Sequence, residues 1–157
     1  MLRLRWLACA LLLAACGPFC SSSFTLANLA VDAAHPCPAG ARAAPYDLNA
    51  TVAADNHTSS SVAIRSATAA MIVSAVHGRW QQAVGFRYDV GEVPITPKSV
   101  GSGSKTALKV TIPSACSNEA HQGTTDNYAD YTVELTVRTT AGDFKLTSQN
   151  RHRILAP

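Results

Sequence analysis

One stretch near the C-terminus constrains the fold more than any other part of the chain. Between Tyr131 and Arg138, apolar residues alternate with polar ones in a run rich in β-branched side chains. This period of two is typical of a strand with one buried and one solvated face. Ala141-Gly142 then provides a tight turn, and residues 143–147 return with the same alternation. The sequence therefore predicts a β-hairpin, and the fold must contain a sheet.

The rest of the chain repeats this pattern between clusters of turn-forming residues. Strands are predicted at residues 24–33, 46–54, 62–76, 80–90 and 105–112. The glycines and prolines between them predict loops or edge segments at residues 35–44, 91–104 and 114–127. No segment is predicted to be helical. About seven short strands with frequent turns indicate an all-β, antiparallel sandwich or barrel.

Three details of these strands are open to test. Residues 62–76 mix alanines with β-branched residues, and we predict one long strand there with a bulge. Pro113 is predicted to end the strand at residues 105–112. Residues 151–156 are predicted to extend the last strand past a bulge near Gln149-Asn150.

The N-terminus has the composition of a targeting segment. Arg3 and Arg5 precede an apolar run that ends at Ala15. Such a run is shorter than the roughly 20 residues that a membrane-spanning helix needs. A charged start, a short apolar middle and small residues afterwards are typical of a secretory signal, which we place at residues 1–15. The alternative is a buried N-terminal helix.

Residues 13–17 read Leu-Ala-Ala-Cys-Gly. They resemble the lipobox of bacterial lipoproteins, which implies cleavage before Cys16 and acylation of its thiol and new amino terminus. Residues 16–23 would then be a lipidated tether, with the globular domain at residues 24–157. This places the domain outside the cytoplasm, held to membrane lipid by its anchor. The alternative is ordinary cleavage nearby and a freely secreted protein.

The charge of the chain argues against a nucleic-acid partner. Losing Arg3 and Arg5 with the signal leaves 11 of the 13 basic residues against 10 acidic ones, a net charge near +1. A nucleic-acid-binding domain usually has a strong basic surface. The one dense basic cluster, at residues 151–153, is interpreted as a solvated strand edge.

The cysteines fit an oxidising compartment. Cys9 lies in the signal and Cys16 in the lipobox, so three remain for the domain and its tether. We predict a Cys37–Cys116 disulfide with Cys20 unpaired, since Cys37 and Cys116 both flank predicted strands. Pairing of Cys20 with Cys37 is the alternative. The cysteine spacing matches no zinc or redox motif.

Asn127, Ala129 and Tyr131 are spaced two apart just before the hairpin. This pattern resembles the approach to strand F in immunoglobulin-like sandwiches, and it favours a sandwich over a barrel. The resemblance implies a tyrosine corner, with the Tyr131 hydroxyl bonded to an upstream backbone group. The chain departs from antibody domains at Val133, where those domains have a bridging cysteine. The resemblance concerns fold and selects no function.

The sequence contains no local signature of catalysis. Residues 101–106 look like a phosphate loop but lack its Gly-Lys pair and the following helix. No serine elbow or HExxH motif occurs, and we interpret the five histidines as surface residues in loops. Four residues could be considered for a calcium or metal site: Glu119, His121, Asp126 and Asp130. Their spacing does not match that of a calcium-binding loop. We therefore expect no enzyme activity, cofactor or metal.

The position of three aromatic residues leads to two alternative hypotheses for the function. Trp80, Phe86 and Tyr88 share one face of the strand predicted at residues 80–90. In a sandwich such a face is usually core. The export signal, the strand pattern and the lack of a catalytic signature then favour a monomeric, non-enzymatic binding or structural module whose partner is an envelope protein or glycan. If the face is exposed, it is a platform for a small ligand or carbohydrate. The loop at residues 114–127 is the other candidate site for such a ligand.

Overall fold

The computed structural model describes residues 23–38, 43–116 and 127–156, and these form strands and turns without a helix. The predicted signal and Cys16 lie outside them. No helix in these ranges is long and apolar enough to cross a membrane. The strands are β1 (Phe24–Val31), β2 (Ala34–Pro36), β3 (Ala44–Asn56), β4 (Val62–His77), β5 (Arg87–Glu92), β6 (Ile95–Thr96), β7 (Ser99–Val100), β8 (Lys105–Cys116), β9 (Tyr128–Thr139), β10 (Gly142–Thr147) and β11 (His152–Leu155).

The strands form two sheets packed face to face. One has the order β1-β3-β8-β6 and the other β2-β11-β9-β4-β5, with β10 also on β9 and β7 on β4. In immunoglobulin-type sandwiches, strands A, B, E and D form one sheet and G, F, C and C′ the other. The chain follows this order, with β1, β3, β8 and β6 in the first set. The prediction of an all-β, immunoglobulin-like sandwich is confirmed.

Alternating side chains of the long strands build the core between the sheets. Leu48 and Val52 of β3 face Ile112 and Leu108 of β8 in register, and all four are fully buried. Burial of each such side chain is worth roughly 1.5–3 kcal/mol. From the other sheet, Val133, Leu135 and Val137 of β9 close the core. The apolar residues of the period-two pattern therefore form the inner face of each of these strands.

The predicted hairpin and long strand are both present. β9 and β10 pair with Gly142 opposite Thr139. β4 runs through residues 62–77 and its register with β9 shifts twice, between Ile64 and Ser66 and between Val73 and Ala75. The bulge predicted in this strand is therefore found, in two places.

The turn between β10 and β11 closes one side of the sandwich. Gln149 donates its backbone N–H to the Leu29 carbonyl at 2.8 Å. The Asn150 side chain accepts from the Val31 N–H at 3.0 Å and donates to the Val31 carbonyl at 2.7 Å. The predicted break at Gln149-Asn150 is confirmed, and it joins the edge of β1 to the opposite sheet.

A disulfide joins Cys37 to Cys116, as predicted, with 5.8 Å between their Cα atoms. Cys37 follows β2 and Cys116 ends β8, so the bond links the two sheets at one end of the sandwich. Both residues are buried.

Three strand predictions were wrong. β8 does not stop at Pro113 but continues to Cys116, because the backbone of residue 113 faces away from β3, where no N–H is needed. Residues 80–86 are not a strand, and β5 starts only at Arg87. Residues 34–36, predicted as loop, form the short strand β2 beside β11.

Candidate functional site

A pocket opens between the two sheets on the side where β5 approaches β8. Its volume is about 290 Å³. Because β6 pairs with β8 only at Lys109 and Val110, it leaves a gap between the sheets beyond that point, and the pocket lies there. Its lining comes from both sheets and from the segment before β5: Met71, Gln82, Phe86, Tyr88, Ser114, Ala115, Tyr131 and Ile154.

Two aromatic side chains line this pocket while remaining half exposed. Phe86 is 48% exposed and Tyr88 49%. The favoured interpretation of the sequence placed both in the core, and for these two residues it was wrong. Trp80 is half-buried against the core, and it lies in the loop before β5 rather than on a strand face shared with them. Val84 is also exposed, at 62%, but it is not part of the pocket lining.

Backbone contacts fix the position of Phe86. Its carbonyl accepts from the Val73 N–H at 3.0 Å, and the Val73 carbonyl accepts from the Gly85 N–H at 2.8 Å. Gly85 has a φ of 90°, a conformation that glycine adopts without steric cost. Next in the chain, Arg87 forms ion pairs with Asp89 at 2.7 Å and Glu134 at 2.6 Å. These contacts hold in place the segment that carries Phe86 and Tyr88.

Tyr131 supplies the buried polar end of the pocket. Its hydroxyl accepts a hydrogen bond from the Trp80 indole at 3.0 Å and lies 3.5 Å from the Gln82 amide oxygen. Burial raises the pKa of Tyr131, so it remains a neutral hydroxyl at physiological pH. The tyrosine corner implied by the immunoglobulin resemblance is not the contact found, because this hydroxyl bonds to the Trp80 side chain instead.

The lining is suited to binding. Met71, Phe86 and Tyr88 provide apolar contact, whereas Gln82 and Ser114 add an amide and a hydroxyl at the margins. Such a combination is typical of sites that hold an apolar group and orient it by a few hydrogen bonds.

A second cluster of polar side chains lies deep at the same end of the sandwich. His152 is only 1% exposed. Its Nδ1 lies 2.7 Å from the Asp32 carbonyl, which can only accept, so Nδ1 carries the proton and Nε2 accepts from the Tyr46 hydroxyl at 3.1 Å. His35 stacks on Tyr46 with 3.8 Å between ring centroids. The prediction of surface histidines was wrong for His152.

Burial shifts the pKa values in this cluster. It lowers the pKa of His152, which favours neutral imidazole, and it raises the pKa of Tyr46 to about 12, partly offset by a hydrogen bond with Ser114. His152 and Tyr46 therefore form a neutral hydrogen-bonded pair that joins β11 to β3.

The basic cluster at residues 151–153 is more than a solvated edge. Arg153 forms a two-pronged hydrogen bond with Asp130, at 2.7 and 3.0 Å, and lies over the Tyr128 ring at 3.9 Å. Arg151 lies 3.9 Å from the same carboxylate. The Arg153 hydrogen bond lowers the pKa of Asp130.

Of the four residues considered for a metal site, Asp130 alone lies in the described part of the chain. Glu119, His121 and Asp126 lie outside the described residues, and Asp130 is paired with Arg153. Within the described ranges, no group of three histidine, cysteine or carboxylate side chains could hold a metal ion.

Sequence reasoning placed Gln82 on the candidate ligand face and Ser114 in a candidate loop, but it missed Tyr131 as a pocket residue. The available signal was a polar-tipped tyrosine on the apolar face of β9, where its neighbours Val133 and Leu135 have no polar atoms. A buried tyrosine hydroxyl usually has a partner, and that partner could not be read from spacing along the chain.

Comparisons with known proteins add little to this description. No family model matches the chain, and no curated protein is significantly similar to it. Among solved structures, it is similar to the ASH/PapD-like domain of human CEP192 (PapD-like domain 7), at 10% sequence identity and a TM-score of 0.34 over 98% of each chain. A likeness this distant carries no functional argument.

Proposed function

We propose that this protein is a non-enzymatic binding module that holds an apolar group in the pocket between its sheets. The exposure of Phe86 and Tyr88 beside the pocket carries this proposal. Covering a large apolar side chain is worth roughly 1.5–3 kcal/mol, and here two of them stay half in water beside a cavity. A ligand entering the pocket gains that burial.

The size of the pocket limits what it holds. A volume of about 290 Å³ is near the lower end of the roughly 300–1,000 Å³ of small-molecule sites. This suits one ring or one or two apolar side chains. The Tyr131 hydroxyl and the Gln82 amide at its margin supply hydrogen bonds to a polar substituent.

Export and lipid anchoring through Cys16 belong to the same proposal. The apolar N-terminus and the lipobox-like residues 13–17 support it. The Cys37–Cys116 bond adds support, because disulfides persist mainly in oxidising compartments. A freely secreted form is the alternative, and the intact mass of the natively processed protein distinguishes the two by the presence of acyl chains.

The direction in which the pocket faces is consistent with a partner away from the anchor. Phe24, where the domain begins, pairs with Asn56 at the end of β3, whereas Ser114 of the pocket pairs with Tyr46 near its start. Ten residues of strand separate these points, roughly 30 Å. An anchored domain would therefore hold its pocket away from the membrane, toward an envelope protein or glycan.

A carbohydrate is the second candidate ligand. Tyr88 and Phe86 offer exposed ring faces, and the Gln82 amide lies beside them. Aromatic rings with nearby amides suit the apolar faces and hydroxyls of a sugar. Titration with oligosaccharides, read by the fluorescence of Trp80, would produce a saturable change for a sugar ligand.

The direct test uses anilinonaphthalene sulfonate, a fluorescent dye with apolar aromatic rings and a charged sulfonate, with the natively processed protein. We expect dye fluorescence to rise on binding and to fall at least fivefold in the double variant Phe86→Ala/Tyr88→Ala. Val84→Ala is the matched control, since Val84 is also an exposed apolar side chain but lies outside the pocket lining. Equal dye binding by all three proteins, or none by the wild type, would count against the pocket.

A further inference from the structure

The far end of β8 is a sheet edge that has no partner strand among the described residues. β6 pairs with β8 only through Ile95 and Thr96, opposite Val110 and Lys109. β8 itself continues to Cys116. On its other side it is paired with β3 as far as Cys116 opposite Ala44. The end of the strand beyond Thr111 is therefore paired only with β3 among the described residues.

The direction of the backbone groups at this edge follows from one hydrogen bond. Thr111 donates its N–H to the Pro94 carbonyl at 3.1 Å, across the β6 side. In an antiparallel ladder the N–H and C=O of one residue point the same way and alternate from residue to residue. Residues 113 and 115 therefore also face the β6 side, and residues 112, 114 and 116 face β3.

Pro113 fits this orientation. Proline has no N–H and is tolerated in a strand where that group would face away from the ladder. What the edge offers is the carbonyl of Pro113 and both backbone groups of Ala115. Ser114, between them, turns its side chain inward to the pocket. The free edge and the apolar pocket are thus two walls of one site.

We propose, on the basis of the binding function above, that the ligand is an extended peptide segment of another protein. It lies beside β8 as an added strand and inserts one apolar side chain between Phe86, Tyr88 and Tyr131. β6 already pairs with β8 in this way at Lys109 and Val110, just before the unpaired part of the edge. Strand addition of this kind takes affinity from backbone bonds and specificity from pockets for alternate side chains.

The chemistry favours a peptide over a second copy of this chain. Two copies joined by this edge would pair two short, proline-containing segments, and neither would place a side chain in the other's pocket. A foreign strand satisfies the Ala115 N–H and C=O and fills the pocket at once. With a net charge near +1 once residues 1–15 are removed, the domain makes no demand for a strongly charged partner.

The test removes one backbone N–H group from the edge of β8. Ala115→Pro removes the N–H offered to a peptide while leaving every β3–β8 bond in place, as Pro113 already does two residues earlier. Ala107→Pro is the matched control, because Ala107 has the same orientation on β8 as Ala115 and lies outside the pocket lining. A phage-displayed library of random decapeptides is selected on the natively processed wild type, and the best peptide is synthesised for fluorescence-anisotropy titration.

We expect the selected peptides to share an apolar residue at one position. Their Kd should rise at least tenfold with Ala115→Pro and stay within twofold of wild type with Ala107→Pro. Peptide binding should also slow exchange of the Ala115 amide in the wild-type protein, measured by NMR. This readout does not depend on how well the proline variant folds.

Other outcomes overturn it separately from the proposed function. Dye binding in the pocket without any selected peptide, or peptides that ignore Ala115→Pro and leave the Ala115 amide unprotected, would retain the pocket and reject strand addition. An Ala115 amide already protected in the free protein would mean that the edge is covered without a peptide, and it would reject strand addition. Absence of both dye and peptide binding would reject the pocket as well.

Discussion

The Tyr46 hydroxyl donates a hydrogen bond to Nε2 of the buried His152 imidazole across 3.1 Å. The folded protein thereby holds His152 neutral, and burial lowers its pKa below the ordinary 6.5. The unfolded chain binds a proton at this residue as pH falls below that value, whereas the folded one does not. The free energy of unfolding should therefore decrease from pH 7 to pH 5.

Denaturant melts across this range measure the effect. His152→Phe should abolish this decrease while destabilising the protein by about 1–3 kcal/mol at pH 7, because the Asp32 carbonyl and the Tyr46 hydroxyl lose their partner. His77→Gln, at an exposed histidine, should retain it. A wild type equally stable at pH 7 and 5 would contradict the prediction.

Gly78→Ala should destabilise the fold strongly. Gly78 has a φ of 72°, and a Cβ there would lie 1.9 Å from the Asn127 side-chain oxygen. That oxygen accepts the Arg79 N–H at 2.8 Å, joining the end of β4 to the start of β9. Backbone strain and the displaced hydrogen bond together should cost about 2–4 kcal/mol.

Gly103→Ala provides the matched control in thermal denaturation. Gly103 has a similar φ of 65°, but no atom lies within 4 Å of its added Cβ. Only the backbone term, about 1 kcal/mol, should appear. Equal losses in the two variants would show that the Asn127 contact contributes nothing.

Asn56→Asp should destabilise the fold at neutral pH. The fully buried Asn56 amide donates to the carbonyls of Ser60, Val100 and Gly101 at 2.9–3.0 Å. A carboxylate there faces three acceptors and has no proton to donate. We expect a loss of about 2–4 kcal/mol at pH 7.

The Asn56→Asp variant should recover part of its stability, relative to wild type at the same pH, as the carboxyl gains a proton in acid. Thr58→Val removes the hydroxyl that bonds to the Asn56 side-chain oxygen at 2.7 Å and to the Ser60 carbonyl at 2.8 Å, and it should cost about 1 kcal/mol. A neutral-pH Asn56→Asp protein as stable as wild type would contradict the role of these three bonds.

Removing the disulfide should lower the free energy of unfolding by about 4 kcal/mol in the chain-entropy model. Cys37 and Cys116 are separated by 79 residues, so the bond restricts a long loop in the unfolded chain. The variant Cys37→Ala/Cys116→Ala, followed by urea denaturation, measures this. Cys20→Ser, in the predicted tether, should leave the stability unchanged.

The fold was largely predictable because its strands are amphipathic. Period two in β3, β8 and β9 reports which residues face the core, and the pairing of Cys37 with Cys116 followed from their positions beside strands. The course of β8 through Pro113 was not predictable, since the sequence does not say which side of a strand is an edge. β2 was hidden for a similar reason: its partner, β11, is remote in the chain.

The pocket was less predictable than the fold. The sequence identified Phe86 and Tyr88 as a potential ligand face, but their exposure depends on a gap that β6 leaves between the sheets. The burial of His152 depends on Tyr46 and Asp32, which are more than 100 residues away. Contacts of this range are set by the packing of the sheets and leave no local pattern.

The place where the chain enters the sandwich determines how the domain responds to mechanical load. Ser23 and Phe24 lie at the Asn56 end of β3, and the pocket lies at the other end. If the domain is tethered and holds a partner as proposed, a pull at Ser23 against the pocket would direct force along the strands. Since the β1–β3 hydrogen bonds run across the strands, this force loads them in shear and all must yield together. A domain held and pulled in this way resists detachment far better than one whose strands are peeled apart bond by bond.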